Sequence, residues 1–147
     1  MPDYASGKIY TIRCRTDDTM IYVGSTIQPL AKRWGGHKKD SKQERNINRL
    51  IYKTINNDWD NWYIELYELY PCSCRNELER REGEIIRLIG NLNKEIAGRT
   101  GKEYYEDNKE KIAECKKKYY EANKEKKKQY YQRKKQEKQE INNILII

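Results

Sequence analysis

Five residues of this 147-residue chain combine reactive side chains with positions that packing alone does not explain: Tyr10, Tyr22, Arg33, His37 and Glu82. The two tyrosines lie in the stretch GKIYTIRCRTDDTMIYVGST, one in Lys8-Ile9-Tyr10 and one in Tyr22-Val23-Gly24. If these runs pair as strands, alternation puts Tyr10 opposite Ile9, and Tyr22 opposite Ile21 and Val23, so both phenols project toward one surface. Tyrosine in a strand is ordinarily a packing residue. Gly24 ends the second run and leaves room for a ligand or a backbone to come close. Arg33 and His37 stand one helical turn apart beside Leu30 and Trp34. A planar guanidinium suits a phosphate, and an imidazole accepts or relays a proton near neutral pH. Alone, His37 reads as a surface or packing histidine. Glu82 falls on the stripe of Leu78, Ile85 and Ile89. A carboxylate aimed at a core needs a cation, a donor or a metal; the bland readings are a fringe position or a buried salt bridge.

These side chains need a frame, and the first hundred residues supply the pattern of a compact α+β unit. Residues 8–14 and 20–24 are β-branched and aromatic, and the polar RTDDT between them reads as a hairpin turn. Pro29 opens a helix carrying Leu30, Arg33, Trp34 and His37 on one face, which Gly35 and Gly36 weaken and could end. SKQE at Ser41–Glu44 has the form of a capping box and predicts a helix with Ile47, Leu50, Ile51, Thr54 and Ile55 on one stripe. WYIELYELY, from Trp62 to Tyr70, alternates as a third strand with Trp62, Ile64 and Leu66 on one face. The last helix of the unit runs from about Asn76 to Ile89, with Asn76 and Glu79 placed as a cap pair.

The charge is uneven. The net charge is +8, which points to a polyanionic partner, nucleic acid before an acidic membrane surface. Charged residues make up 37% of the chain, too many for one packed globule. Residues 101–147 hold 14 Lys and Arg against 9 Asp and Glu, so most of the excess sits in the last third. That third repeats YYEDNKEK, YYEANKEK and YYQRKKQE from Tyr104, Tyr119 and Tyr130. The spacings are near whole helical turns, so the tyrosine pairs form a loose stripe on a long helix. A solvated charged helix, a nucleic-acid arm and an oligomerising coil all fit that pattern. The four cysteines, Cys14, Cys72, Cys74 and Cys115, lack the ligand spacing of a zinc site and read as reduced thiols. No apolar run approaches a membrane span, the patch from Ile144 to Ile147 being short. The start carries no basic-then-apolar signal. The chain therefore reads as intracellular, in the cytoplasm or in the nucleus of a host cell.

Taken together, the sequence resembles the GIY-YIG nuclease family. The matching pieces are Lys8-Ile9-Tyr10, Tyr22-Val23-Gly24, Arg33 and His37 at R-x3-H spacing within STIQPLAKRWGGHKK, Glu82 before Ile85 and Ile86 in ERREGEIIRLIGNLN, and Asn93 after that helix. No single piece is specific; their order carries the resemblance. Lys8 departs from it, standing where the family has its first glycine, with Gly7 just before.

The resemblance implies an α+β fold, a small three-stranded antiparallel sheet flanked by helices, over about residues 1–98; the composition makes residues 99–147 a Lys/Glu/Tyr-rich helical or partly disordered tail. It implies hydrolysis of a DNA phosphodiester with one divalent metal, Mg2+ or Mn2+, ligated by Glu82. Arg33 would neutralise charge on the phosphorane, Tyr10 and Tyr22 would position the attacking water, and His37 would take a phenol proton or orient the phenol. Asn93 would anchor the site, and Lys32, Lys38 and Lys39 join it as candidate DNA contacts. The short tail is similar to free-standing, mobile-element or viral members and shows no base-reading module, so low sequence specificity follows. The rival readings are a non-catalytic DNA-binding protein on a nuclease-like fold and a basic scaffold built on the tail. The sequence leaves the oligomeric state open, a monomer included.

Overall fold

The structure is a computed structural model and describes residues 2–144; residues 145–147 of the terminal apolar patch lie outside it. Three antiparallel strands, β1 (Lys8–Cys14), β2 (Ile21–Thr26) and β3 (Trp62–Leu69), form one sheet in the order β2-β1-β3. Around it lie α1 (Leu30–Asp40), α2 (Leu50–Ile55) and α3 (Arg75–Ile89), and a further helix, α4, spans Gly101–Ile144. The chain divides into two compact units, residues up to Arg99 and residues from Thr100 on. Among the described residues no helix is long and apolar enough to cross a membrane.

The central strand β1 explains the layering. Alternate side chains leave opposite faces of a strand, and β1 has buried side chains on both. Tyr10, Ile12 and Cys14 join Trp62, Ile51, Tyr52, Ile55 and Leu92 in one core, with Leu30 and Trp34 of α1 packed against it. Ile9 joins Val23 and the α3 residues Leu78, Ile85 and Ile86 in a second core on the other face. The sheet is thus sandwiched between α1 with α2 and α3.

β2 is an edge strand, and its outward backbone groups are covered by side chains rather than by a fourth strand. The Asn91 side-chain oxygen accepts from the Ile21 amide, and the backbone N–H groups of Asn91 and Leu92 donate to the Ile21 carbonyl. Asn93 repeats the pattern at Val23, accepting from the Val23 N–H at 2.9 Å and donating to the Val23 carbonyl at 2.8 Å. Between them Leu92 enters the first core, so Asn-Leu-Asn wraps the sheet edge and blunts it. The chain then folds back over α3. A Cβ at Gly83 would collide with the Ala97 carbonyl, and Gly98, at φ +63°, lies against the Arg80 backbone.

Several sequence expectations are corrected here. Gly35 and Gly36 do not end α1, which continues to Asp40. Ser41–Glu44 is not a capping box: Ser41 closes α1 and its hydroxyl donates to the Lys38 carbonyl. The following residues turn, pinned by buried Asn46 donating to the Asp40 carbonyl, so the helix shrinks to Leu50–Ile55 and Ile47 is 56% exposed. Trp62, Ile64 and Leu66 do share one face, opposite Cys14, Ile12 and Tyr10, although Leu66 is exposed where Trp62 is buried. Asn76 and Glu79 are not a cap pair; Glu77 accepts from the Ser73 amide and hydroxyl, while Glu79 pairs with Arg75. The reciprocal capping box is elsewhere, at the start of α4: the Thr100 hydroxyl accepts from the Glu103 amide and the Glu103 carboxylate accepts from the Thr100 amide. Along α4 the repeat is structural as well, since Asn108 and Asn123 donate to the carbonyls of Tyr104 and Tyr119.

Because Val23 is fully buried, Asn93→Ala leaves its amide and carbonyl without partners. We expect a loss of about 1–3 kcal/mol, seen as a drop of several degrees in the thermal midpoint by circular dichroism.

Candidate active site

The pairing register opposes Tyr10 to Gly24 and Ile12 to Tyr22. Both phenols therefore leave the same face of the sheet, as alternation predicts. The Tyr10 ring lies across Gly24: a Cβ there would run into the phenol oxygen. This is why a glycine follows the second tyrosine. The crossing encloses Tyr10, which is fully buried, while Tyr22 is half-buried.

α1 delivers Arg33 and His37 to this face. The Arg33 Nε donates to the Tyr10 oxygen at 2.9 Å, and the Tyr10 oxygen lies 2.7 Å from His37 Nε2. The other imidazole nitrogen, Nδ1, lies 3.0 Å from the Tyr52 hydroxyl. Guanidinium only donates, so the Tyr10 O–H is free to donate to Nε2, and the ring proton sits on Nδ1 facing Tyr52. His37 is 1% exposed and meets Tyr10, Tyr22 and Tyr52 edge to face, with centroids 5.7–6.0 Å apart. Burial, then the charges of Arg33 and Arg49, push its pKa down to about 3, so it is neutral at physiological pH. Burial also raises the Tyr10 phenol far above its ordinary value. The Tyr22 phenol is pushed up to about 12, by burial and then by the Glu82 carboxylate.

Glu82 comes from the opposite face. α3 packs under Ile9 and Val23, and Ser25, on that same face of β2, donates its hydroxyl to Glu82 Oε2 at 2.5 Å. Burial raises the Glu82 pKa against the pull of that hydrogen bond. Glu82 makes no ion pair among the described residues. It borders two cavities. One, of about 490 Å³, is lined by Tyr22, Arg49, Leu92 and Asn93 among others; the second, of about 450 Å³, by Ser25, Gln28 and Arg33 among others. Residues from both faces of the sheet thus meet around β2.

The remaining candidates divide. Lys32 and Lys39 are exposed on α1, and Lys38 stands 5.3 Å above the Trp34 ring. Asn93 has both ends of its amide spent on Val23, which makes it a clamp on β2. Sequence reading missed Ser25, Arg49 and Tyr52. Ser25 and Arg49 carry no local signal, but Tyr52 had one: a phenol inside the apolar run Leu50-Ile51-Tyr52.

The buried imidazole couples stability to pH. Unfolded, His37 titrates near 6.5; folded, it titrates near 3. Between those values the unfolded chain holds the extra proton, so stability rises with pH across the window and is lost as pH falls. Glu82 works in the opposite direction, its raised folded pKa giving a contribution that declines as pH climbs through it. Comparing wild type with His37→Gln isolates the imidazole: chemical denaturation between about pH 4 and pH 7 should show a smaller gain of stability with pH in the variant.

Residues 6–96 match the family of the GIY-YIG catalytic domain. A solved structure, the catalytic domain of intron endonuclease I-TevI in a point-mutant form, superposes with a TM-score of 0.51 at 22% identity, over 64% of this chain and 96% of that one. At that identity the likeness speaks for the fold. A search of curated proteins gave no significant match. The family match spans more than half of the chain, with Tyr10, Tyr22, Arg33, His37 and Glu82 inside it. The chain therefore belongs to the GIY-YIG family and carries its catalytic domain, that of a GIY-YIG-type endonuclease.

Proposed function

We propose that the protein hydrolyses phosphodiester bonds of DNA inside the cell, in one active site served by a divalent cation, Mg2+ or Mn2+, at Glu82. The observation that carries this reading is the placement of Glu82. A half-buried carboxylate with a raised pKa, one hydroxyl donor and no ion pair among the described residues is short of positive charge. Among the described residues no three His, Cys, Asp or Glu side chains gather as a ligand cluster. One carboxylate fits a hard cation whose other ligands are water and phosphate oxygens. When bound, such a cation polarises the phosphoryl oxygen and stabilises the leaving oxygen.

The protein's own groups do the rest. Arg33 borders the same cavity as Glu82 and offsets negative charge building on the phosphorane. Tyr10 is enclosed, so its work is to hold Arg33, with His37 fixing the phenol from the other side. Tyr22 is the phenol on a cavity wall with Glu82 and orients the attacking water. Its pKa of about 12 keeps it protonated while Glu82 is unbalanced. Offsetting the Glu82 charge removes one cause of that rise and moves the phenol toward ionisation. Neutral His37 accepts the Tyr10 hydrogen bond and orients that phenol. Lys32, Lys38 and Lys39 supply phosphate contacts beside the site. Residues 1–98 form the nuclease domain, and residues 99–147 an accessory DNA-binding arm.

Two experiments test this. Wild type should nick supercoiled plasmid with Mg2+ or Mn2+, EDTA should stop it, and Glu82→Ala should abolish it. Arg33→Ala should slow it by about 10²–10³-fold. Absence of nicking by wild type, with DNA binding intact, would favour the non-catalytic binding protein. Deleting residues 101–147 should leave nicking in place but weaken DNA binding and flatten its dependence on salt.

A further inference from the structure

We propose that Arg49 forms a second phosphate subsite, gripping the DNA strand beside the phosphate held between Arg33 and Glu82. This rests on the nuclease reading above and extends it to a residue outside the family's motif.

Glu82, with Glu79, borders both cavities. Each cavity falls in the size range that takes a small ligand. A strand carries a phosphate at every nucleotide, so a strand that seats one phosphate at Glu82 brings its neighbours along the cavities on either side. Glu79 is already paired with Arg75, so Glu82 is the carboxylate that repels that strand, and cations on the cavity walls are needed to receive it. Arg33 and Arg75 line the cavity beside Ser25, and Arg49, Lys94 and Arg99 line the cavity beside Tyr22, where the Arg49 charge acts on the Tyr22 phenol.

Arg33 and Arg49 differ in how they are held. Arg33 is committed to the Tyr10 oxygen and lies 3.9 Å from Asp40. The Arg49 side chain is exposed, and its guanidinium has neither a hydrogen bond nor an ion pair among the described residues. Solvation explains many exposed arginines, but this one sits on a cavity wall with the site's phenol. Its field also reaches the titrating groups, since it acts on Tyr22, His37 and Tyr52. A free guanidinium fork there matches the two oxygens that a neighbouring phosphate offers.

The test measures binding of a labelled DNA duplex to the full chain in EDTA, where cleavage is stopped, across a series of salt concentrations. Arg49→Ala should bind about tenfold more weakly and lower the log–log salt slope by about one. Arg49→Lys should restore the slope and only part of the affinity, because it keeps the charge and loses the fork. In nicking assays the Arg49→Ala loss should fall mainly in KM. An unchanged slope and affinity in Arg49→Ala would overturn the subsite. So would a slope that Arg49→Lys fails to restore, which would mark a structural role. The salt slope is read without cleavage: a wild type that binds but does not nick removes the nuclease reading, whereas a wild type that nicks with no change of slope in Arg49→Ala removes only the subsite.

Discussion

The Tyr10 hydroxyl is the point on which the site depends. It accepts from Arg33 and faces His37 Nε2 at 2.7 Å, so one oxygen joins a helix to the central strand and fixes two charged or titratable groups at once. The bonds are made where water is excluded, which makes them strong when satisfied and expensive when broken. Everything around the oxygen serves its position. Gly24 is bare so that the ring can cross it, and Tyr52 takes the second imidazole nitrogen so that the first is left for Tyr10. His37 is kept neutral by burial, which leaves Nε2 free to accept.

A second constraint is the exposed edge of a three-stranded sheet. So small a sheet leaves β2 without an outer neighbouring strand, and β2 carries Tyr22, Gly24 and Ser25 along that edge. Asn91 and Asn93 satisfy its outward amides and carbonyls in the manner of a missing strand. The strand is thus paired on both sides, once by β1 and once by Asn91, Leu92 and Asn93. The return of the chain over Gly83 and Gly98 fixes α3, and with it the height of Glu82 against Ser25.

Glu82 supplies the remaining tension. Its carboxylate is desolvated and answered by one hydroxyl, an arrangement that favours whatever brings positive charge to it. After burial, the same Glu82 carboxylate raises the Tyr22 phenol and the Arg33 guanidinium lowers it, although the three residues leave three separate elements and two faces of the sheet.

The sequence by itself determined the strands and singled out the five reactive residues. Period-two alternation and the apolar stripe of α3 are local, and a buried glutamate or a histidine on an apolar face stands out against them. It misjudged what depends on distant partners. Ser41–Glu44 has the letters of a capping box, but Asn46 binding back to Asp40 turns the chain instead, while the box that forms, Thr100 with Glu103, looks no different in sequence. Ser25, Arg49 and Tyr52 were invisible or faint because each gains its meaning only across the fold: Ser25 from α3, Tyr52 from α1, Arg49 from the cavity it borders. Whether two tyrosines on neighbouring strands are alike was also beyond the sequence. The register that lays Tyr10 over Gly24 buries one phenol and leaves the other on a cavity wall, and register is a property of paired strands, not of either strand alone.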